Sequence, residues 1–173
     1  MASITLRGKR IQTLGDVPQV AHTAPAFTLT QNNLKDISLQ ELLAKTDTGS
    51  VLLSIVPSID TEICATHTTT FEGIAADWPQ VKFLLASMDL PFAQQRFCAA
   101  QSIRKVKCLS AMRNPNFAKD YGVYIQDGIM AGLMARAVII IHQGKISYSE
   151  LVEDISQAPN YAAILVALNT IKQ

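Results

Sequence analysis

The sequence predicts an α/β domain: a central mixed sheet with helices on both faces and a small β-hairpin added at the amino end. Three observations point there. Strand-like runs alternate with helical segments through the middle of the chain. The strand-like run Arg136 to Ile141 turns back through His142-Gln143-Gly144 into a second one, and the length suits a single core. Of the 173 residues, 49% are apolar, so residues 1–173 read as one domain with 1–16 as its hairpin extension.

Taken in order, Ile4-Thr5-Leu6 and Arg10-Ile11-Gln12-Thr13 flank Arg7-Gly8-Lys9, a hairpin with a glycine in its turn. Pro18 and Pro25 punctuate an extended connection. Phe27-Thr28-Leu29-Thr30 alternates apolar and polar residues as an edge strand would, and Ser38-Leu39-Gln40-Glu41 has capping-box character before a short helix. Strands follow at Val51 to Val56, Val81 to Ser87, Lys107 to Ser110 and Arg136 to Ile141, with helices after Cys64, Pro91 and Pro115. The turn His142-Gln143-Gly144 makes Lys145 to Leu151 an antiparallel partner of the preceding strand, and a last helix runs from Tyr161 to Ile171.

Lys and Arg number 15 against 14 Asp and Glu, so no broad field of one sign draws in nucleic acid or an anionic membrane. The longest apolar runs, such as Ala137 to Ile141, are strand-sized and far short of a membrane span. The start Met1-Ala2-Ser3-Ile4-Thr5-Leu6-Arg7 lacks the apolar segment of a secretory signal, and the expectation is a soluble, cytoplasmic protein. In a reducing compartment Cys64, Cys98 and Cys108 suit redox chemistry or ordinary burial, not a disulfide scaffold. No Cys-x-x-Cys pair occurs, and His22, His67 and His142 form no ligand pattern with the cysteines, so neither a metal nor a cofactor is expected.

The segment Pro57-Ser58-Ile59-Asp60-Thr61-Glu62-Ile63-Cys64 puts a thiol where a helix should begin. Pro57 ends the strand by removing a backbone donor, and Asp60 or Thr61 can cap the helix through a side-chain oxygen. Cys64 then falls in the first turn, where unpaired N–H groups and the positive end of the helix dipole favour a thiolate. An ordinary thiol, with a pKa of about 8.5, is only a few per cent ionised at neutral pH, so this placement bears directly on reactivity.

The spacing Pro57-x-x-x-Thr61-x-x-Cys64 resembles the active-site signature of the peroxiredoxins, thiol-dependent peroxidases on a thioredoxin-like fold. The run Ser87-Met88-Asp89-Leu90-Pro91-Phe92-Ala93-Gln94-Gln95-Arg96-Phe97-Cys98 is similar to the segment bearing the resolving cysteine in bacterial thiol peroxidases, the atypical two-cysteine subfamily. Arg113-Asn114, Tyr121-Gly122-Val123, Gly132 to Val138 and Leu151 to Tyr161 extend the likeness over nearly the whole chain. Periodicity alone does not select a thioredoxin-like fold among mixed α/β arrangements; the resemblance does.

The resemblance implies that Cys64 is the peroxidatic cysteine, attacking hydrogen peroxide and especially organic hydroperoxides. Its sulfenic acid would be resolved by Cys98 as an intramolecular disulfide, which thioredoxin reduces. Arg136 matches the family's active-site arginine, whose planar guanidinium can stabilise the thiolate and hold the peroxide through two donors. Thr61 can offer a hydroxyl to sulfur or peroxide, the Cys64 N–H is a further candidate donor, and Pro57 can pack over the thiolate and limit water. Asp89 reads as the cap and Pro91 as the start of the helix bearing Cys98, which keeps Cys98 packed away from Cys64. A relaxed disulfide needs Cα atoms within about 7 Å, so one or both helices should unwind after oxidation. A homodimer is also implied, and Ile129 to Met134 reads either as a dimer contact or as a cover of the core.

Plainer readings stand beside these. Arg113 is either a second positive group or a surface ion pair, and His67 either faces Cys64 or is solvated or structural. Cys108 lies outside the reacting pair and reads as a buried strand residue, with a side role in oxidation left open. The β-branched residues of Thr66-His67-Thr68-Thr69-Thr70 each weaken a helix by up to about 0.7 kcal/mol, which either eases unwinding or is erased by packing. Competing functions are a peroxide-sensing signalling protein with little turnover, a cysteine hydrolase using His67, and a redox-inert binding module that would leave the whole motif set idle.

Overall fold

The computed structural model describes residues 1–171. Strands β1 (Ser3–Leu6) and β2 (Lys9–Leu14) form the expected hairpin, with Arg7 and Gly8 both at positive φ (49° and 79°) as a tight two-residue turn requires. After the extended connection come β3 (Thr28–Gln31), β4 (Asp36–Ser38) and the short helix α1 (Leu39–Ala44). The capping box is complete: the Ser38 hydroxyl accepts from the Glu41 N–H, and the Glu41 carboxylate accepts from the Ser38 N–H.

The centre of the chain alternates as expected: β5 (Ser50–Ile55), α2 (Glu62–Asp77), β6 (Val81–Ser87), α3 (Pro91–Ala100), β7 (Lys107–Ser110) and the single-turn α4 (Phe117–Asp120). There follow β8 (Tyr124–Ile125), β9 (Ala137–His142), β10 (Lys145–Leu151) and α5 (Tyr161–Thr170). Seven strands make one sheet in the order β10-β9-β5-β6-β7-β3-β4, with β5, β6 and β7 parallel and the remaining pairs antiparallel. Residues 50–55 of β5 are all buried because the strand lies inside the sheet with both faces covered. Val51, Leu53 and Ile55 join the core beneath α1, α4 and the hairpin, while Leu52 and Val56 join the core beneath α2, α3 and α5. Phe71, 1% exposed, anchors α2 to that second core, a burial that contributes about 2 kcal/mol.

One expectation about the sheet needs correction. β3 is not an edge strand: it pairs with both β4 and β7, and β4, which the residue pattern did not reveal, takes the edge. The polar residue that suggested an exposed face, Thr30, is fully buried and bonds Asp36 Oδ1 at 2.8 Å, so its hydroxyl is satisfied inside the structure. The added amino-terminal hairpin is present as expected, and β8 adds to it in a three-stranded sheet ordered β1-β2-β8. Gly122 permits this closure. Its φ is +65°, and a Cβ there would stand 2.1 Å from the Asp16 backbone.

Candidate active site

Strand β5 delivers the chain to Pro57, and α2 begins after Thr61, whose extended backbone (φ −91°, ψ 143°) is that of an N-cap. The Thr61 hydroxyl accepts from the Cys64 N–H at 3.2 Å and donates to the Ser58 carbonyl at 3.4 Å. Both groups expected to act on the sulfur are thus engaged with each other, setting the first turn of the helix. Asp89 has a different task from the one expected. Its carboxylate accepts from the Ser58 hydroxyl (2.8 Å) and the Ile59 N–H (2.9 Å), tying down the loop before Cys64. The N-cap of α3 is Leu90, without a side-chain bond, because Pro91 at the first helical position needs no donor satisfied there.

Cys64 is fully buried, and its Sγ accepts a hydrogen bond from Arg136 Nη2 at 3.2 Å. Arg136, 1% exposed and immediately before β9, also gives Nε to the Ile155 carbonyl at 3.2 Å and Nη1 to His67 Nδ1 at 3.4 Å. Guanidinium has no acceptor, so His67 Nδ1 must carry the lone pair and Nε2 the proton, which goes to Ser54 Oγ at 2.7 Å. His67 is therefore a neutral acceptor that orients the arginine. Burial, and then the Arg136 charge, pushes its pKa down to about 3. The ion pairs among the described residues lie elsewhere. Of the Arg136 partners, the Cys64 sulfur is the group able to carry the compensating negative charge.

Arg136 lines a cleft of about 440 Å³ together with Pro57, Thr61, Ile63, Met130 and Leu6. The last of these comes from the amino-terminal hairpin, which the Asp154 carboxylate clamps by accepting from Thr5 Oγ1 (2.7 Å), Arg7 N (3.2 Å) and Gly8 N (3.1 Å). The sequence reading missed this wall and its clamp, as well as the Ser54–His67–Arg136 chain. The signals available were the three-residue spacing of His67 from Cys64 and the lone serine inside the apolar run of β5. Cys98 stands apart: its sulfur meets Cys108 Sγ at 3.0 Å. Arg113 is a surface pair with Asp36 at 3.0 Å. The Thr68 hydroxyl bonds the Cys64 carbonyl at 2.7 Å, and those of Thr66 and Thr70 bond the carbonyls four residues before them, so the β-branched run is tied to its own helix.

A model of the Redoxin family matches residues 19–165. The chain belongs to the redoxin family. The thiol peroxidase of Mycobacterium tuberculosis is 50% identical over 169 residues, covering 97% of this chain and 99% of that one. Among solved structures, a peroxiredoxin-like protein from Aquifex aeolicus superposes with a TM-score of 0.88 at 32% identity, covering 99% and 98% of the two chains. A thiol peroxidase from Chromobacterium violaceum shares the fold, with a TM-score of 0.89 at 21% identity over 99% and 97%. The redoxin match starts after the hairpin, yet Leu6, Arg7 and Lys9 help close the cleft. In this redoxin the central mixed sheet and its helices position the thiol, and the added strands form one wall of the cleft lined by its partner Arg136.

The neutral state of His67 has a consequence for stability. In the unfolded chain its ordinary value of 6.5 returns, so below that pH the unfolded state binds a proton that the folded state refuses. Stability should be full above pH 6.5 and fall as the pH drops toward 3, by an amount on the order of 5 kcal/mol. Urea unfolding between pH 6.5 and about 5, above the carboxylate range, isolates this contribution. The slope should flatten in His67→Asn, and equal slopes in both proteins would remove His67 as its source.

Proposed function

We propose that this redoxin is a thiol-dependent peroxidase that reduces hydrogen peroxide and, with preference, organic hydroperoxides. The observation that carries the reading is the Arg136 Nη2 to Cys64 Sγ contact of 3.2 Å beside a cleft. The Cys64 thiolate attacks one peroxide oxygen, the O–O bond breaks, and hydroxide or alkoxide leaves with the negative charge. Sulfur is oxidised to the sulfenic acid. Arg136 sits where charge starts and, with donors left for the peroxide, where it ends, and His67 and Ile155 hold it so that no reorganisation is needed. Leu6, Ile63, Ile129 and Met130 on the cleft wall support an organic substituent on the peroxide.

Cys98 resolves the sulfenic acid by displacing water and forming a disulfide with Cys64, and thioredoxin returns both thiols by exchange. Since Cys98 faces Cys108 while Cys64 faces Arg136, local unwinding precedes the bond. The exposed apolar side chains of Leu90, Phe92 and Ile129 support a homodimer, and a reducing, cytoplasmic setting suits three free thiols. The test is the Cys98→Ser variant. It should react once with peroxide and yield a trappable sulfenic acid at Cys64, while losing most thioredoxin- and NADPH-supported turnover. Sustained turnover at the unmodified rate would refute Cys98 as the resolving thiol.

A further inference from the structure

Cys98 in α3 and Cys108 in β7 are free thiols whose sulfurs stand 3.0 Å apart. The elements that hold them are independent of the first turn of α2. Gln94, fully buried and one turn before Cys98, donates its amide to Ser87 Oγ and to the Leu109 carbonyl, each at 3.0 Å, and so fixes α3 on β6 and β7. The Glu72 carboxylate accepts from the backbone N–H groups of Arg104 (2.9 Å), Lys105 (2.9 Å) and Val106 (2.8 Å), holding the segment that leads into β7. Cys98 is partly exposed, Cys108 is buried, and both line a cleft of about 430 Å³ edged by Lys82, Arg104, Lys105 and Lys107. The hydrogen bond between the two sulfurs lowers the pKa of the Cys98 thiol; the same bond, together with burial, raises that of Cys108. In the reduced pair Cys98 is thus the readier nucleophile, and once Cys98 is tied into a disulfide the first cause that raises Cys108 is gone.

Resting on the reading of Cys98 as the resolving thiol, we propose that Cys108 is a third redox-active cysteine that takes over the disulfide by exchange. The Cys108 sulfur attacks Cys98 Sγ, the Cys98–Cys108 bond forms, the Cys64–Cys98 bond breaks, and Cys64 leaves as a thiolate. Cys108 first gives its proton to water in the cleft, so that the attacking species is its thiolate. No further oxidant is needed, because the two electrons now missing from Cys98 and Cys108 are those already given to the peroxide.

Packing favours the exchange. The Cys64–Cys98 bond pulls together two sulfurs that face different partners, at the cost of the Thr61 cap and the Arg136 contact. The Cys98–Cys108 bond asks only that a 3.0 Å gap close to about 2.05 Å with both helices folded. The departing Cys64 thiolate also regains Arg136. The exchange resets the peroxidatic site before any reductant arrives and moves the disulfide to a separate, basic cleft.

Oxidation with one equivalent of hydrogen peroxide, acid quenching at intervals, alkylation and peptide mapping test this. In the unmodified protein an early Cys64–Cys98 bond should give way to Cys98–Cys108 with Cys64 free to alkylate. A second equivalent should then leave a diketone-trappable sulfenic acid at Cys64. Cys108→Ser and Cys108→Ala should both stop at Cys64–Cys98, which also shows that they fold, and neither should take up the second equivalent. A Cys64–Cys98 bond that persists in the unmodified protein with Cys108 alkylated overturns the exchange while leaving resolution by Cys98 intact. A failure of the Cys108 variants to form Cys64–Cys98, while the unmodified protein joins Cys64 to Cys108, overturns both.

Discussion

Peroxide consumption by Cys64→Ser should fall to the uncatalysed background. The hydroxyl titrates far above the thiol range, so almost none of it is an anion at neutral pH, and oxygen cannot be oxidised as sulfur is to a sulfenic acid. The loss is chemical and not a matter of folding. The Thr61 cap takes its bond from the backbone N–H of residue 64, and Arg136 can still donate to a serine oxygen. A thioredoxin- and NADPH-coupled assay, with circular dichroism to verify the fold, reads the outcome. Full turnover in this variant would place the chemistry at another thiol.

Arg136→Ala should slow the peroxide step about a hundredfold or more, the range found when one preorganised donor to developing charge is removed. The cation that faces the sulfur disappears, His67 Nδ1 loses its donor, and the Ile155 carbonyl is left without its side-chain partner. Alkylation of Cys64 at neutral pH should slow in parallel, because the buried sulfur has lost the cationic donor that faces it. Arg136→Lys separates charge from geometry. An ammonium keeps the charge but cannot span the carbonyl, the imidazole and the sulfur at once, so it should recover only part of the rate. If stopped-flow oxidation ran at the same rate in both variants as in the unmodified protein, Arg136 would have no part in the reaction.

The features readable from the chain are those whose physics is local. The capping box at Ser38 and Glu41, the strand runs of β5 and β6, the turn at Gln143 and Gly144, and the placement of Cys64 in a capped first turn each depend on a few adjacent residues. Thr30 misled because alternation reports polarity, while burial depends on what a distant segment supplies; here that is Asp36 in the edge strand. Asp89 misled for a similar reason. Its position before Pro91 suits a cap, but the loop 30 and 31 residues earlier offers two donors to the same carboxylate.

Sequence alone determined that this chain would place a thiol at the start of a helix after a buried strand, since proline, a capping hydroxyl and helix periodicity act within one or two turns. Only the tertiary structure decided which charge faces that thiol. Arg136 reaches Cys64 across 72 positions because β9 pairs with β5, and His67 becomes its neutral acceptor because α2 packs down on Ser54 of the same strand. Tertiary packing likewise set Cys98 beside Cys108, by laying α3 across β7. Burial makes these contacts matter: away from water an unpaired donor or charge is costly, so the sheet that excludes solvent also dictates the partners each polar group must keep.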